Sequence, residues 1–304
     1  MKSGASLPTP ARRTGQRRYP LREYYRITKP RVVGLIMFTA IAGMFLAAPQ
    51  MPELWTFLLA TIGIGLAAAS GAAVNHILDE EKDSLMVRTR GRPLPSGRIE
   101  TIPALLFACT LAVISMFILT VAVNTLTAVL TFGSLIGYAV IYTVFLKHAT
   151  PQNIVIGGAA GAMPPVLGWT SVTGELSSDA FVLFLIIFCW TPPHFWALAL
   201  YRHEEYEKAD IPMLPVTHGE KFTRLHILLY TALLAAVSIM PFATGMFGYM
   251  YLAAAALLGG YFVYLVVRLY LKYSDRLAKR IFQYSIQYLA GLFAVMLLDH
   301  YLFG

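Results

Sequence analysis

Charge is scarce in this chain. Only 13% of its 304 residues are Asp, Glu, Lys or Arg, and 57% are hydrophobic, whereas a soluble domain carries about a quarter charged residues. This balance excludes an ordinary soluble enzyme. Cysteine is rarer still. Cys109 and Cys189 both fall in apolar stretches, and neither has the spacing of a metal ligand or a redox pair. A disulfide framework and a cysteine metal site are therefore excluded, and both residues read as small core side chains. No short apolar stretch with a small-residue cleavage site precedes the first long apolar run, so no cleavable secretory signal is expected.

Long apolar sequence takes the place of charge. A bilayer span needs about 20 apolar residues, and nine such runs stand at roughly 32–48, 55–75, 103–122, 125–146, 153–171, 179–201, 226–246, 249–272 and 283–303. The pattern predicts an all-α polytopic membrane protein: a basic tail over 1–31, then one nine-helix transmembrane domain over 32–304. The fifth run is the weakest, because Gly157, Gly158, Gly161, Pro164, Pro165 and Gly168 interrupt it. Such a segment spans only when buried among other helices.

Lys and Arg are absent from one side of this arrangement. All 24 fall in the tail, in 76–102, near 148, in 202–225 or in 268–280. The positive-inside rule then puts the N-terminus in the cytoplasm and the C-terminus outside. The inner membrane of a bacterium is the expected location. A mitochondrial transit peptide is the alternative reading of the acid-poor tail. The lipid bilayer is an expected partner, and nucleic acid is not.

Two loops on the charged side carry most of the chemistry. In the first, Asn75, Asp79 and Asp83 are spaced i, i+4, i+8. If the second helix continues through them, they form one stripe ~12 Å long. Two carboxylates one turn apart beside an amide oxygen suit Mg²⁺, which takes one or two carboxylates and fills its octahedron with water and phosphate oxygens. The ordinary alternative is a solvated helix end paired to Lys82 or Arg88. The stripe abuts a membrane span, however, where ionisable groups are usually functional. Arg88, Arg90, Arg92 and Arg98 follow among turn formers. Arg forks bind phosphate oxygens at two points, so acids holding Mg²⁺ beside arginines make a diphosphate site, with Arg88 and Arg92 the preferred pair. The second loop holds Glu204, Glu205, Glu207 and Asp210, a candidate for a second Mg²⁺ or a solvated helix end. Within the sixth run, Thr191-Pro192-Pro193-His194 places a histidine at membrane depth, either as a bonded core residue or as a contact to substrate. Lys147 is a diphosphate ligand or a helix-end charge.

Taken together, these residues resemble the UbiA superfamily of intramembrane prenyltransferases, whose first aspartate-rich motif looks like the stripe at 75–83. Within it, the similarity is greatest to haem O synthases. It runs through Thr28-Lys29-Pro30-Arg31-Val32, Met86–Leu94, Asn153–Ala162 with Pro164-Pro165, and Pro192–Trp196 followed by Ile211-Pro212-Met213-Leu214-Pro215, from about residue 24 to 225. The resemblance implies a UbiA-type helix bundle, farnesyl diphosphate and haem B as substrates, haem O as product and Mg²⁺ as cofactor. Asn75, Asp79, Asp83, Arg88 and Arg92 would be catalytic. Lys29, Lys147, His194 and Glu205 would bind substrate, and Asp79, Asp83 and Glu205 would bind metal. A haem A synthase or a terminal oxidase would be the protein partner. The chain departs from the family in one place: Glu205 precedes Tyr206 where the family usually has Asp. Two alternatives are another prenyltransferase of the superfamily, acting on an aromatic or tetrapyrrole acceptor, and a transporter. A transporter has no evident need for arginines beside the acidic stripe.

Overall fold

The computed structural model describes residues 20–146 and 149–303; residues 1–19 of the basic tail and Lys147 lie outside the described residues. The described residues form helices and no strand. In chain order these are α1 (Pro20–Ile27), α2 (Pro30–Leu46), α3 (Leu54–Leu78), α4 (Glu80–Leu85), α5 (Thr101–Ala122), α6 (Thr125–Ile136), its π-helical continuation α7 (Gly137–Leu146), α8 (Asn153–Ala162), α9 (Pro164–Thr173), α10 (Ser178–Tyr201), α11 (His203–Lys208), α12 (Leu214–Val237), α13 (Met240–Ala243), α14 (Tyr249–Leu271) and α15 (Asp275–Phe303).

Nine spans are expected from the apolar runs, the fifth of them interrupted, and the structure has fewer helices of spanning length. Seven stretches among the described residues are long and apolar enough to cross a membrane unaided. The first expected span, α2, has only 17 residues and joins α1 through a 55° bend. The fifth is split into α8 and α9 of ten residues each. Pro164 and Pro165 cause that split: neither has an N–H to continue the ladder, and both suit the first turn of a new helix.

The broken helix is held by close backbone contact. A Cβ at Gly168 of α9 would stand 1.9 Å from the Ala40 carbonyl oxygen of α2, and one at Gly43 of α2 would stand 2.2 Å from the Pro165 carbonyl oxygen. In a bilayer no hydrophobic force drives helices together, so small residues that let backbones approach carry the association. Asn124 adds a polar tie. Its Oδ1 caps α6 at Thr127 N (2.8 Å), and its Nδ2 donates to Thr170 O of α9 (2.9 Å).

The bundle has two unlike ends. At one, Asp299 of α15 accepts from Gly248 N (2.7 Å) and Tyr251 N (3.0 Å), capping α14 from outside. Tyr301 and His300 donate nearby to carbonyls at Phe45 (2.9 Å) and Ala48 (3.0 Å). At the other end lie α1, the 86–100 loop, α11 and the 272–274 turn, and among the described residues Lys and Arg fall on these segments or on the helix ends beside them. There Ile27, Ala73, Leu94, Ile99, Ala104 and Ala108 form a small core that fastens α1 and the arginine loop onto α3 and α5.

The α2–α9 contact makes a direct test. Gly168→Ala forces a backbone shift and is expected to cost about 1–3 kcal/mol, the range for overpacking, seen as a lowered melting temperature in detergent. Gly133→Ala in α6, where a Cβ meets nothing within 4 Å, should leave the melting temperature unchanged or raise it.

Candidate active site

The acidic stripe survives, but the helix beneath it does not run straight through. α3 ends at Leu78 and α4 begins at Glu80, with Asp79 at the junction (φ −89°, ψ −1°). Hydrogen bonds from Asp79 N to Asn75 O (3.0 Å) and from Asp83 N to Asp79 O (2.8 Å) preserve the four-residue register across the break. Asn75, Asp79 and Asp83 therefore stay on one face, and all three are buried. The loop that follows folds back on them. Thr89 Oγ1 donates to Asp83 O (2.9 Å), and Arg92 forms an ion pair with the Asp83 carboxylate. Arg98 pairs instead with Glu23 of α1 (3.0 Å), so two of the four arginines serve different partners.

From the other side, Lys29 reaches Asn75 and donates to its Oδ1. Lys29 occupies the left-handed region (φ 50°, ψ 59°), a conformation that costs a non-glycine residue about 1–3 kcal/mol. Pro30 disfavours the right-handed α region for its predecessor, and the chain must turn here between α1 and α2.

The third wall is the π-helical segment α7. Thr143, buried, takes a long hydrogen bond from Asn75 Nδ2 (3.4 Å) and donates its own proton to Tyr138 O (2.8 Å). Tyr138 and Tyr142 stack at 5.7 Å, nearly parallel. Both lie within electrostatic reach of Asp79, and Tyr142 also of Tyr206. Tyr142 fits only because α8 has Gly157 beneath it: a Cβ there would stand 2.1 Å from the tyrosine ring. The glycine-rich stretch at 153–162 thus seats an aromatic side chain beside the acids.

The second loop approaches through Tyr206. Burial pushes its phenol above the ordinary value, and the Arg88 cation opposes that shift. Glu205 is bound by Arg202 at the rim of a cavity of about 610 Å³ shared with Glu220, Tyr273 and Asp275. Among the described residues no three His, Cys, Asp or Glu come together as a metal cage, so Asp79, Asp83 and Glu205 do not form a single cluster. His194 lies within α10. α10 runs unbroken through Pro192 and Pro193, and the imidazole is stacked between Trp190 (4.3 Å) and Phe282 (4.5 Å). Its Nδ1 lies 2.6 Å from Ser285 Oγ on α15.

Tyr138, Thr143 and Ser285 have no role in the sequence reading. The stacked tyrosines have a sequence signal, two aromatics at i, i+4 on an apolar run; Thr143 and Ser285 have none.

A model of the UbiA prenyltransferase family matches residues 36–292. The chain is 58% identical over 282 residues to a protoheme IX farnesyltransferase of Nitrosospira multiformis, covering 93% of this chain and 95% of that one. It is 61% identical over 281 residues to that of Nitrosococcus oceani, covering 92% and 94%. Among solved structures it is similar to digeranylgeranylglyceryl phosphate synthase, with TM-score 0.79 at 18% identity over 92% of this chain and 98% of that one. It is also similar to a UbiA homolog from Archaeoglobus fulgidus bound to GPP and Mg²⁺, with TM-score 0.61 at 16% identity over 90% and 99%. These structures share the fold, the relatives share most of the sequence, and the chain belongs to the UbiA prenyltransferase family.

Proposed function

We propose that this protein transfers the farnesyl group of farnesyl diphosphate to a vinyl group of haem B, with addition of water, releasing diphosphate and forming haem O. The observation that carries this reading is identity of 58% and 61%, over more than nine-tenths of both chains, to proteins named protoheme IX farnesyltransferase. The site geometry is in keeping with it. Two buried carboxylates, an ion-paired arginine and a lysine meet where an apolar bundle reaches its charged end. An amphiphile with a diphosphate head and a hydrocarbon tail needs such a boundary.

The donor set fits Mg²⁺. Asp79, Asp83 and the Asn75 amide oxygen are hard oxygen donors on one face, and a pair of carboxylates is what this ion takes when phosphate completes its shell. When bound, the ion would withdraw charge from the diphosphate as the C1–O bond breaks. Arg92 and Lys29, now engaged by Asp83 and Asn75, would offer N–H donors to the leaving oxygens, stabilising charge that develops only as the bond breaks. The electron pair leaves with the diphosphate. The allylic cation is then attacked by the vinyl carbon, water adds to the cation that results, and the proton it loses goes to the released diphosphate. Tyr138 and Tyr142 line the approach to Asp79 with aromatic surface that excludes water from the allylic cation. The one-sided distribution of Lys and Arg supports a cytoplasmic N-terminus in a bacterial inner membrane, with the diphosphate site facing the cytoplasm.

Two outcomes are expected. Purified protein in detergent, given haem B and farnesyl diphosphate, should form a product with the mass of haem O without any membrane gradient. Asp83→Asn should abolish this while leaving the melting temperature near wild type. Product from farnesyl diphosphate with another acceptor but not with haem B would move the chain elsewhere in the family.

In the second loop, Glu205→Asp should retain much of the rate and Glu205→Gln lose most of it if this carboxylate holds a metal. Equal Mg²⁺ dependence in Glu205→Gln and wild type would restrict the metal site to Asp79 and Asp83.

For orientation, single cysteines replacing Ser84 or Ser274, with Cys109 and Cys189 changed to Ala, should be labelled only from the cytoplasm. Cysteines at Glu175 or Ala243 should be labelled only from outside.

A further inference from the structure

An amide side chain has one face that donates and one that accepts, and only the accepting oxygen can ligate a cation. Asn75 is the member of the acidic stripe for which this choice exists. Lys29 has only donors and meets the Oδ1 side. The opposite side, Nδ2, meets Thr143 Oγ1 at 3.4 Å. A threonine hydroxyl can itself donate or accept, so contact alone does not select the amide orientation. Its own proton does. Thr143 Oγ1 donates to Tyr138 O at 2.8 Å, five residues back rather than the usual three or four, because α7 is π-helical over Gly137–Leu146. With that proton committed, Thr143 presents only lone pairs to Asn75. A flipped amide would face oxygen against oxygen at Thr143 and NH₂ against an ammonium at Lys29. π-helical turns recur at functional sites, and this one supplies a specific consequence.

We infer that Thr143 is a positioning residue: held by the π-helical carbonyl of Tyr138, it locks the Asn75 amide with Oδ1 turned into the polar site. This inference rests on the reading of Asn75, Asp79 and Asp83 as the diphosphate and metal site. Thr143 touches no substrate in this account. It acts through Asn75, at 68 residues' remove in the sequence, along a chain of hydrogen bonds running Lys29, Asn75, Thr143, Tyr138 in which every donor points the same way and each bond polarises the next.

The test compares wild type, Thr143→Val, Thr143→Ala, Thr143→Ser and Asp83→Asn as purified full-length protein. Binding of Mn²⁺ is measured by the loss of its free-ion electron paramagnetic resonance signal in the presence of a non-hydrolysable farnesyl diphosphate analogue. Melting temperature is recorded for each variant. Thr143→Val keeps the side-chain volume but has no acceptor, and should weaken Mn²⁺ binding about fivefold to tenfold, the worth of one neutral hydrogen bond, at a melting temperature near wild type. Thr143→Ser restores the hydroxyl and should bind within about twofold of wild type on the same scale. Where the valine variant does not fold, Thr143→Ala removes the same acceptor and is expected to show the same weakening. Wild-type Mn²⁺ affinity in a folded Val or Ala variant, with Asp83→Asn unable to bind, would overturn the positioning role while leaving the metal site intact. Failure of both Val and Ala variants to fold beside a folded Ser variant would overturn it in favour of a structural role. Wild-type binding in Asp83→Asn would instead overturn the metal reading on which the inference stands.

Discussion

Two carboxylates buried where an apolar bundle meets water are the constraint around which the charged end is built. An unpaired charge taken out of water costs several kcal/mol, and Asp79 and Asp83 are both buried. The surrounding chain reads as the answer to that cost. The loop after α4 doubles back so that Arg92 reaches Asp83. Lys29 accepts a left-handed backbone to reach the amide of the same stripe. α1 is pinned through Glu23 to Arg98 and through Ile27 to the small core beneath the loop.

The second requirement is that the wall facing the acids be shaped rather than merely apolar. The glycines and prolines of 153–173 do this. Pro164 and Pro165 divide the span, Gly168 lets α9 meet the backbone of α2, and Gly157 makes room for Tyr142. An ordinary leucine-rich span at this place would hold the tyrosines away from Asp79. The broken helix, unfavourable by hydropathy alone, is tolerated where freed carbonyls find new donors: Ala160 O accepts from Ser134 Oγ of α6 (3.2 Å) and from Met163 N (3.4 Å).

His194 illustrates how tertiary packing supplies partners that composition leaves open. A histidine at membrane depth reads equally as a core residue and as a substrate contact. Here one ring nitrogen is committed to Ser285, and both faces are covered by Trp190 and Phe282. It joins α10 to α15.

By itself the sequence determined the membrane class, the clustering of Lys and Arg in alternate segments between the apolar runs, and the stripe of Asn75, Asp79 and Asp83, because each depends on periodicity or charge along a single helix and its flanks. That arginines lie near the acids was legible for the same reason, but the pairing of Arg92 with Asp83 was not, since the sequence offered Lys82 or Arg88 as partners and gave Arg92 to the diphosphate. The tertiary structure alone decided that α9 meets the backbone of α2, that Arg98 serves Glu23, and that Thr143 stands behind Asn75. Each of these is settled by a backbone approach or a hydrogen bond between segments tens of residues apart, and such contacts leave no period in the sequence by which they can be read.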